Sequence, residues 1–173
     1  MLISFIFAGG FARNVCGEKF EKMIPALKNT KAKRIAVITD PNSEEAKIAA
    51  DYVRKGILDC IQLHGIEYDK VTEELLSLPH YFAITEKQGD LAAAAEKLFL
   101  MGEPRFLQDS KSNDYDTKHR LWLAGGVTDI NIEDLIKKYQ PELIDVSSGI
   151  EDDVPGIKNH KKLEKLIELS RKL

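Results

Sequence analysis

Short apolar runs recur along the chain, and each breaks off in small or polar residues. LISFIF at 2–7 gives way to Gly9 and Gly10, RIAVIT at 34–39 to Asp40 and Pro41, and CIQL at 60–63 to His64 and Gly65. YFAIT at 81–85, RFL at 105–107, LWLA at 121–124 and LIDV at 143–146 follow, the last two closing on Gly125-Gly126 and Ser147-Ser148-Gly149. Runs this short with such endings predict strands. Between them apolar residues return at helical spacing: Phe20, Met23, Ile24 and Leu27, then Ala46, Ile48, Ala49, Tyr52 and Val53 after Ser43, and an alanine-rich run over 90–100. Ile132, Leu135, Ile136 and Tyr139 predict a helix capped by Asp129 and Asn131 and stopped before Pro141, and Leu163, Leu166, Ile167 and Leu169 predict a closing helix. Residues 110–120 are polar and aperiodic, which predicts a mobile loop where a helix would be due.

Strand and helix alternate, so the strands are expected to be parallel, with right-handed crossovers. The expectation is α/β, a TIM (β/α)8-type barrel that is incomplete: seven parallel strands, no first strand and helix, and a sixth helix shortened or absent. An open doubly wound sheet is the competitor. A length of 173 residues is short for a full barrel of about 200–250, and no linker splits it, so 1–173 reads as one domain. LISFIF is apolar on both faces, as a strand buried on both sides would be.

A net charge of −3 gives no reason to expect nucleic acid as a partner. Cys16 and Cys60 have neither metal-ligand nor disulfide spacing, which suits a reducing cytoplasm. No apolar run is long enough for a membrane span and no signal peptide is expected. Neither metal nor organic cofactor is implied.

Chemistry in such folds gathers at the carboxyl ends of the strands. Gly125, Gly126, Ser148 and Gly149 have little side chain, so backbone N–H groups there can approach phosphate oxygens. A Gly-Gly pair alone merely ends a strand, but two such turns on consecutive parallel strands favour a phosphate grip. Arg13, on the loop after the first strand, either grips a carboxylate or phosphate bidentately or is a solvated surface residue. His64 stands at a strand end, as a ligand contact or a hydrogen bonder to loops. Cys60, at a strand start, reads as core. Asp109 follows the fifth strand, as a general acid or as the cap of a turn.

IQLHG (61–65), LWLAGGVT (121–128) and IDVSSGIEDDVPGIKNH (144–160), with FIF upstream of Arg13 and with FLQDSK, resemble the phosphoribosylanthranilate isomerase family of tryptophan biosynthesis. The resemblance implies an Amadori rearrangement of N-(5-phosphoribosyl)anthranilate to 1-(2-carboxyphenylamino)-1-deoxyribulose 5-phosphate. Asp109 then stands at the general acid, Arg13 at the anthranilate carboxylate, and Gly125, Gly126, Ser148 and Gly149 at the phosphate, with Asp145 and Ser147 beside it. The partner implied is a small phosphorylated substrate.

The chain departs from the family in three places. It begins at what resembles the second strand, so the family's cysteine base, in a Lys-Ile-Cys-Gly-like motif on the first, is not matched. Residues 110–120 are too few for the Gly-rich active-site loop and sixth helix together, and Gly9-Gly10 stand where Pro and Ser are usual. Reduced or absent turnover follows, with Cys16 as a substitute base if a helix N-terminus lowers its thiol pKa, although Cys16 reads as the helix cap. An open barrel edge offers a route to a homodimer. The alternatives are a catalytically silent phosphate-ligand binding protein on the same scaffold, and another phosphate-handling barrel enzyme such as a ribulose-phosphate epimerase.

Overall fold

The computed structural model describes residues 1–170. The chain divides into two compact units, residues 1–82 and the residues from 83 on. The first contains β1 (Leu2–Ile6), α1 (Glu18–Leu27), β2 (Lys33–Ile38), α2 (Glu44–Arg54), β3 (Cys60–His64) and α3 (Glu73–Leu76). β4 (His80–Thr85) carries the chain onward. The second unit contains α4 (Leu91–Leu100), β5 (Phe106–Asp109), β6 (Trp122–Ala124), α5 (Ile132–Tyr139), β7 (Leu143–Ile144) and α6 (His160–Ser170). Strand order follows chain order, and β1-β2-β3 in the first unit and β5-β6-β7 in the second pair in parallel. The result is the expected incomplete (β/α)8-type α/β fold, with seven strands among the described residues. The four-residue α3 went unforeseen because four residues carry no periodicity.

In the first unit Phe5 and Phe7 share one face and meet the helices: Phe20 of α1 lies with its ring centroid 4.9 Å from Phe5 and 5.1 Å from Phe7, and Tyr52 of α2 lies 5.5 Å from Phe20. Phe7 and Phe20 are fully buried. The opposite face of β1 is less covered than expected, since Ser4 is exposed and Ile6 half-buried.

Below the strands, Asp59 accepts from the backbone N–H of Arg34 at 2.9 Å and from its guanidinium Nε at 2.8 Å. Those bonds lower its carboxyl to about 2. A carboxylate depressed in the folded state stabilises above its unfolded value of about 3.9, and that stability is lost as pH falls towards 2. Asp59→Asn is expected to lose about 1–2 kcal/mol at pH 7, discounted for partial exposure, with a difference from the parent that shrinks below pH 4. Urea melts at pH 7 and pH 3 check it.

In the second unit Leu123 packs outward with Ile132 and Leu135 of α5, Leu169 of α6 and Tyr115 in one apolar cluster. Asn131 stands at the N-cap of α5 but makes no side-chain cap to it. Its Oδ1 instead accepts from the Thr128 N–H at 2.8 Å. Asp129 pairs with Lys165 of α6 at 3.2 Å. The connection from β5 to β6 carries no helix, as expected, but it is tied down. The Gln108 side chain, fully buried, bonds both the carbonyl (2.8 Å) and the N–H (2.9 Å) of Asp116. Tyr115 is buried 6% exposed, its ring 5.1 Å from that of Tyr139. An outward-facing glutamine thus holds backbone where a helix would have packed.

Candidate active site

Every candidate residue lies at or beyond the carboxyl end of a strand, three in the first unit and the rest in the second. In the first unit, the loop after β1 doubles back: the Asn14 N–H donates to the Phe11 carbonyl (2.9 Å) and the Val15 N–H to the Ile6 carbonyl (2.9 Å). This leaves Arg13 half-buried at the bend, beside the strand end. His64 is the last residue of β3 and half-buried.

Cys16 does not cap α1. Gly17 holds that position with a φ of 81°, which a residue with a side chain adopts at a cost, and the Cys16 N–H donates instead to Asn14 Oδ1 at 3.1 Å. Its thiol is pushed up by burial and then by the negative charge of Glu45, with the Gly17 N–H pulling the other way. A lowered thiol is therefore not what the site provides. Cys60, half-buried at the start of β3, is raised further, to about 11, chiefly by burial. Neither thiol is ionised near neutral pH.

In the second unit the registers set the geometry. Asp109 is opposite Ala124 across β5 and β6, and Leu123 is opposite Ile144 across β6 and β7. The next backbone bond, from the Asp145 N–H to the Leu123 carbonyl at 2.8 Å, carries that pairing on, so Asp109, Ala124 and Asp145 form one row. Parallel partners face the same way, and Leu123 and Ile144 take the helix side. The row therefore faces the other side, with two carboxylates about 10 Å apart at Cα across an alanine methyl. Burial pushes the Asp145 carboxyl up, the Asp109 charge adds to it, and Lys158 opposes.

Beside this row lie the two small-residue turns. A Cβ on Gly125 would sit 2.5 Å from Asp109 Oδ1, so the turn after β6 runs directly against the carboxylate. Ser148–Ile150 form a 3₁₀ turn two residues beyond Asp145 and Val146. A Cβ on Gly149 would fall 1.9 Å from the Val127 carbonyl oxygen, so the two turns touch backbone to backbone. Ser147 and Ser148 are exposed at this surface.

Residues that the sequence did not mark hold the second turn. Lys158 donates to the Ser147 carbonyl at 2.8 Å and to Glu151 Oε1 at 2.8 Å, and Lys162 donates to the Glu151 carbonyl at 2.7 Å. Glu151 is buried, so its charge needs this partner. Lys158 belongs to the PGIK run, where the signal was a motif without an assigned task. Among the described residues no cluster of His, Cys, Asp and Glu could hold a metal ion, and no helix is long and apolar enough to cross a membrane.

Known proteins resemble this arrangement over almost its whole length. Residues 3–169 match the family model of N-(5'phosphoribosyl)anthranilate (PRA) isomerase. The chain is 30% identical over 179 residues to the N-(5'-phosphoribosyl)anthranilate isomerase of Streptococcus mutans, covering 98% of this chain and 87% of that one. The crystal structure of phosphoribosyl anthranilate isomerase from Thermotoga maritima superposes with a TM-score of 0.78 at 25% identity, over 99% of this chain and 88% of that one. A PRA isomerase in complex with reduced 1-(o-carboxyphenylamino)-1-deoxyribulose 5-phosphate shares the fold with a TM-score of 0.76 at 24% identity, over 99% of this chain and 88% of that one. Matched over nearly all its length in this way, the chain belongs to the N-(5'-phosphoribosyl)anthranilate isomerase family, the aldose–ketose isomerases of tryptophan biosynthesis.

Proposed function

We propose that this chain binds N-(5-phosphoribosyl)anthranilate through the second unit's two turns and opens its sugar ring with Asp109. The observation that carries this is the contact of the Gly125 turn with the Asp109 carboxylate, which sets a proton donor against a place where backbone N–H groups can take a phosphate. The protonated carboxyl gives its proton to the furanose ring oxygen. The C1–O bond breaks and the aniline nitrogen lone pair forms the Schiff base. A base then removes the C2 proton, and the enolamine so formed becomes the ketone. By family resemblance Asp145 and Ser147 flank the phosphate. Burial is the larger influence on Asp145 and pushes its carboxyl up, which lets it tolerate a phosphate nearby.

The C2 proton needs an acceptor, and both cysteines carry raised thiols. That observation favours a second reading, in which the chain holds the phosphorylated ligand without turning it over. Loss of fluorescence from freshly generated phosphoribosylanthranilate separates the two. Turnover that survives in Cys16→Ser supports the isomerase with a base other than the Cys16 thiol. No turnover, with the reduced product analogue still bound, supports the silent binding protein. No turnover and no binding contradicts both.

A further inference from the structure

We propose that Asn113 and Tyr115, from the shortened connection between β5 and β6, are positioning residues that aim the N–H groups of the Gly125-Gly126 turn at the phosphate, a role that presupposes the phosphate grip proposed above. Three successive peptide groups make this turn, and each has its carbonyl held from the same network. The Ala124 carbonyl accepts from the Tyr115 hydroxyl at 2.8 Å and from the Ser110 N–H at 3.1 Å. The Gly125 carbonyl accepts from Asn113 Nδ2 at 2.8 Å, with the Tyr115 hydroxyl 3.2 Å away. The Gly126 carbonyl accepts from Asn131 Nδ2 at 2.9 Å.

A trans peptide group is planar, and its N–H points opposite to its C=O. Holding these three carbonyls therefore turns the N–H groups of Gly125, Gly126 and Val127 away from the connection, as a concave run of donors. Gly125 and Gly126 have φ values of 84° and 59°, and without the bonds to their carbonyls such flexible residues have other conformations open to them.

The network is saturated, so it has one arrangement. Asn113 spends its two amide hydrogens on Gly125 and on the Tyr115 hydroxyl (3.1 Å), and its Oδ1 accepts from Asn131 Nδ2 at 3.2 Å. Asn113 itself stands at a φ of 58°, which asparagine tolerates better than most residues. Tyr139 of α5 donates to its carbonyl at 2.9 Å. Burial raises the Tyr115 phenol, so the hydroxyl keeps its proton. None of these side chains touches the phosphate. They act through the turn.

The test is calorimetric titration of the full chain with inorganic phosphate and with reduced 1-(o-carboxyphenylamino)-1-deoxyribulose 5-phosphate. The variants are Asn113→Gly, which keeps the left-handed backbone, and Tyr115→Phe, which keeps the ring packing. Each is expected to weaken both ligands about tenfold, the scale of one lost hydrogen bond, and, if the chain turns substrate over, to raise KM more than it lowers kcat. Anthranilate, which carries no phosphate, is expected to inhibit parent and variants alike. Parent-like phosphate affinity in either folded variant overturns the positioning role while leaving the phosphate grip intact. A parent chain that binds neither phosphate probe overturns both.

Discussion

Asp109→Asn is expected to lower kcat by about 10² to 10⁴-fold, the range for removal of a general acid. The amide keeps the shape and the place in the row with Ala124 and Asp145, so the reduced product analogue should still bind within a few-fold of the parent. It cannot give up a proton to the ring oxygen. The assay is the fluorescence decay of phosphoribosylanthranilate at saturating substrate, with calorimetry of the analogue alongside. A drop in kcat with binding retained assigns the proton to Asp109. An Asn variant as fast as the parent would move the acid elsewhere, and Asp145 would be the first alternative, because burial already favours its protonated form.

Gly149→Ala is expected to be the most damaging single methyl in the second unit. The new Cβ would stand 1.9 Å from the Val127 carbonyl oxygen and 2.9 Å from its carbon. Both are backbone atoms, so no rotamer change relieves the clash. The 3₁₀ turn has to move off the turn after β6, and displacement on the scale of 1 Å at a binding turn costs about 10²-fold in affinity or rate. Overpacking of this kind also removes about 1–3 kcal/mol of stability. Urea melts and titration of the reduced analogue measure the two effects separately. Ser148→Ala, exposed and without that contact, should bind the analogue far better than Gly149→Ala.

The strand rhythm was legible because each strand of this fold is a short apolar run closed by small or polar residues, and the registers place the two small-residue closures on the consecutive strands β6 and β7. Gly125, Gly126, Ser148 and Gly149 could be marked for that reason before any geometry was known. What holds them could not. Asn113 reaches Gly125 across twelve positions and Lys158 reaches Ser147 across eleven, and polar side chains paired over such distances leave no period in the sequence. Residues 110–120 looked loose because they lack apolar spacing. Their order comes from Gln108 underneath, which bonds a single distant residue twice. Cys16 misled through its position: one residue short of the cap, it is raised by burial and then by Glu45 where a capping thiol would be lowered.

The backbone of the second unit's two turns is expected to hold the substrate's phosphate. Amide N–H resonances of the isotopically labelled chain, followed while the reduced product analogue is titrated in, test it most directly. Gly125, Gly126, Val127 and Gly149 are expected to move downfield and saturate together, while residues at the far end of α4, such as Leu100 and Met101, stay in place. Saturable binding that leaves those four amides unmoved would contradict it.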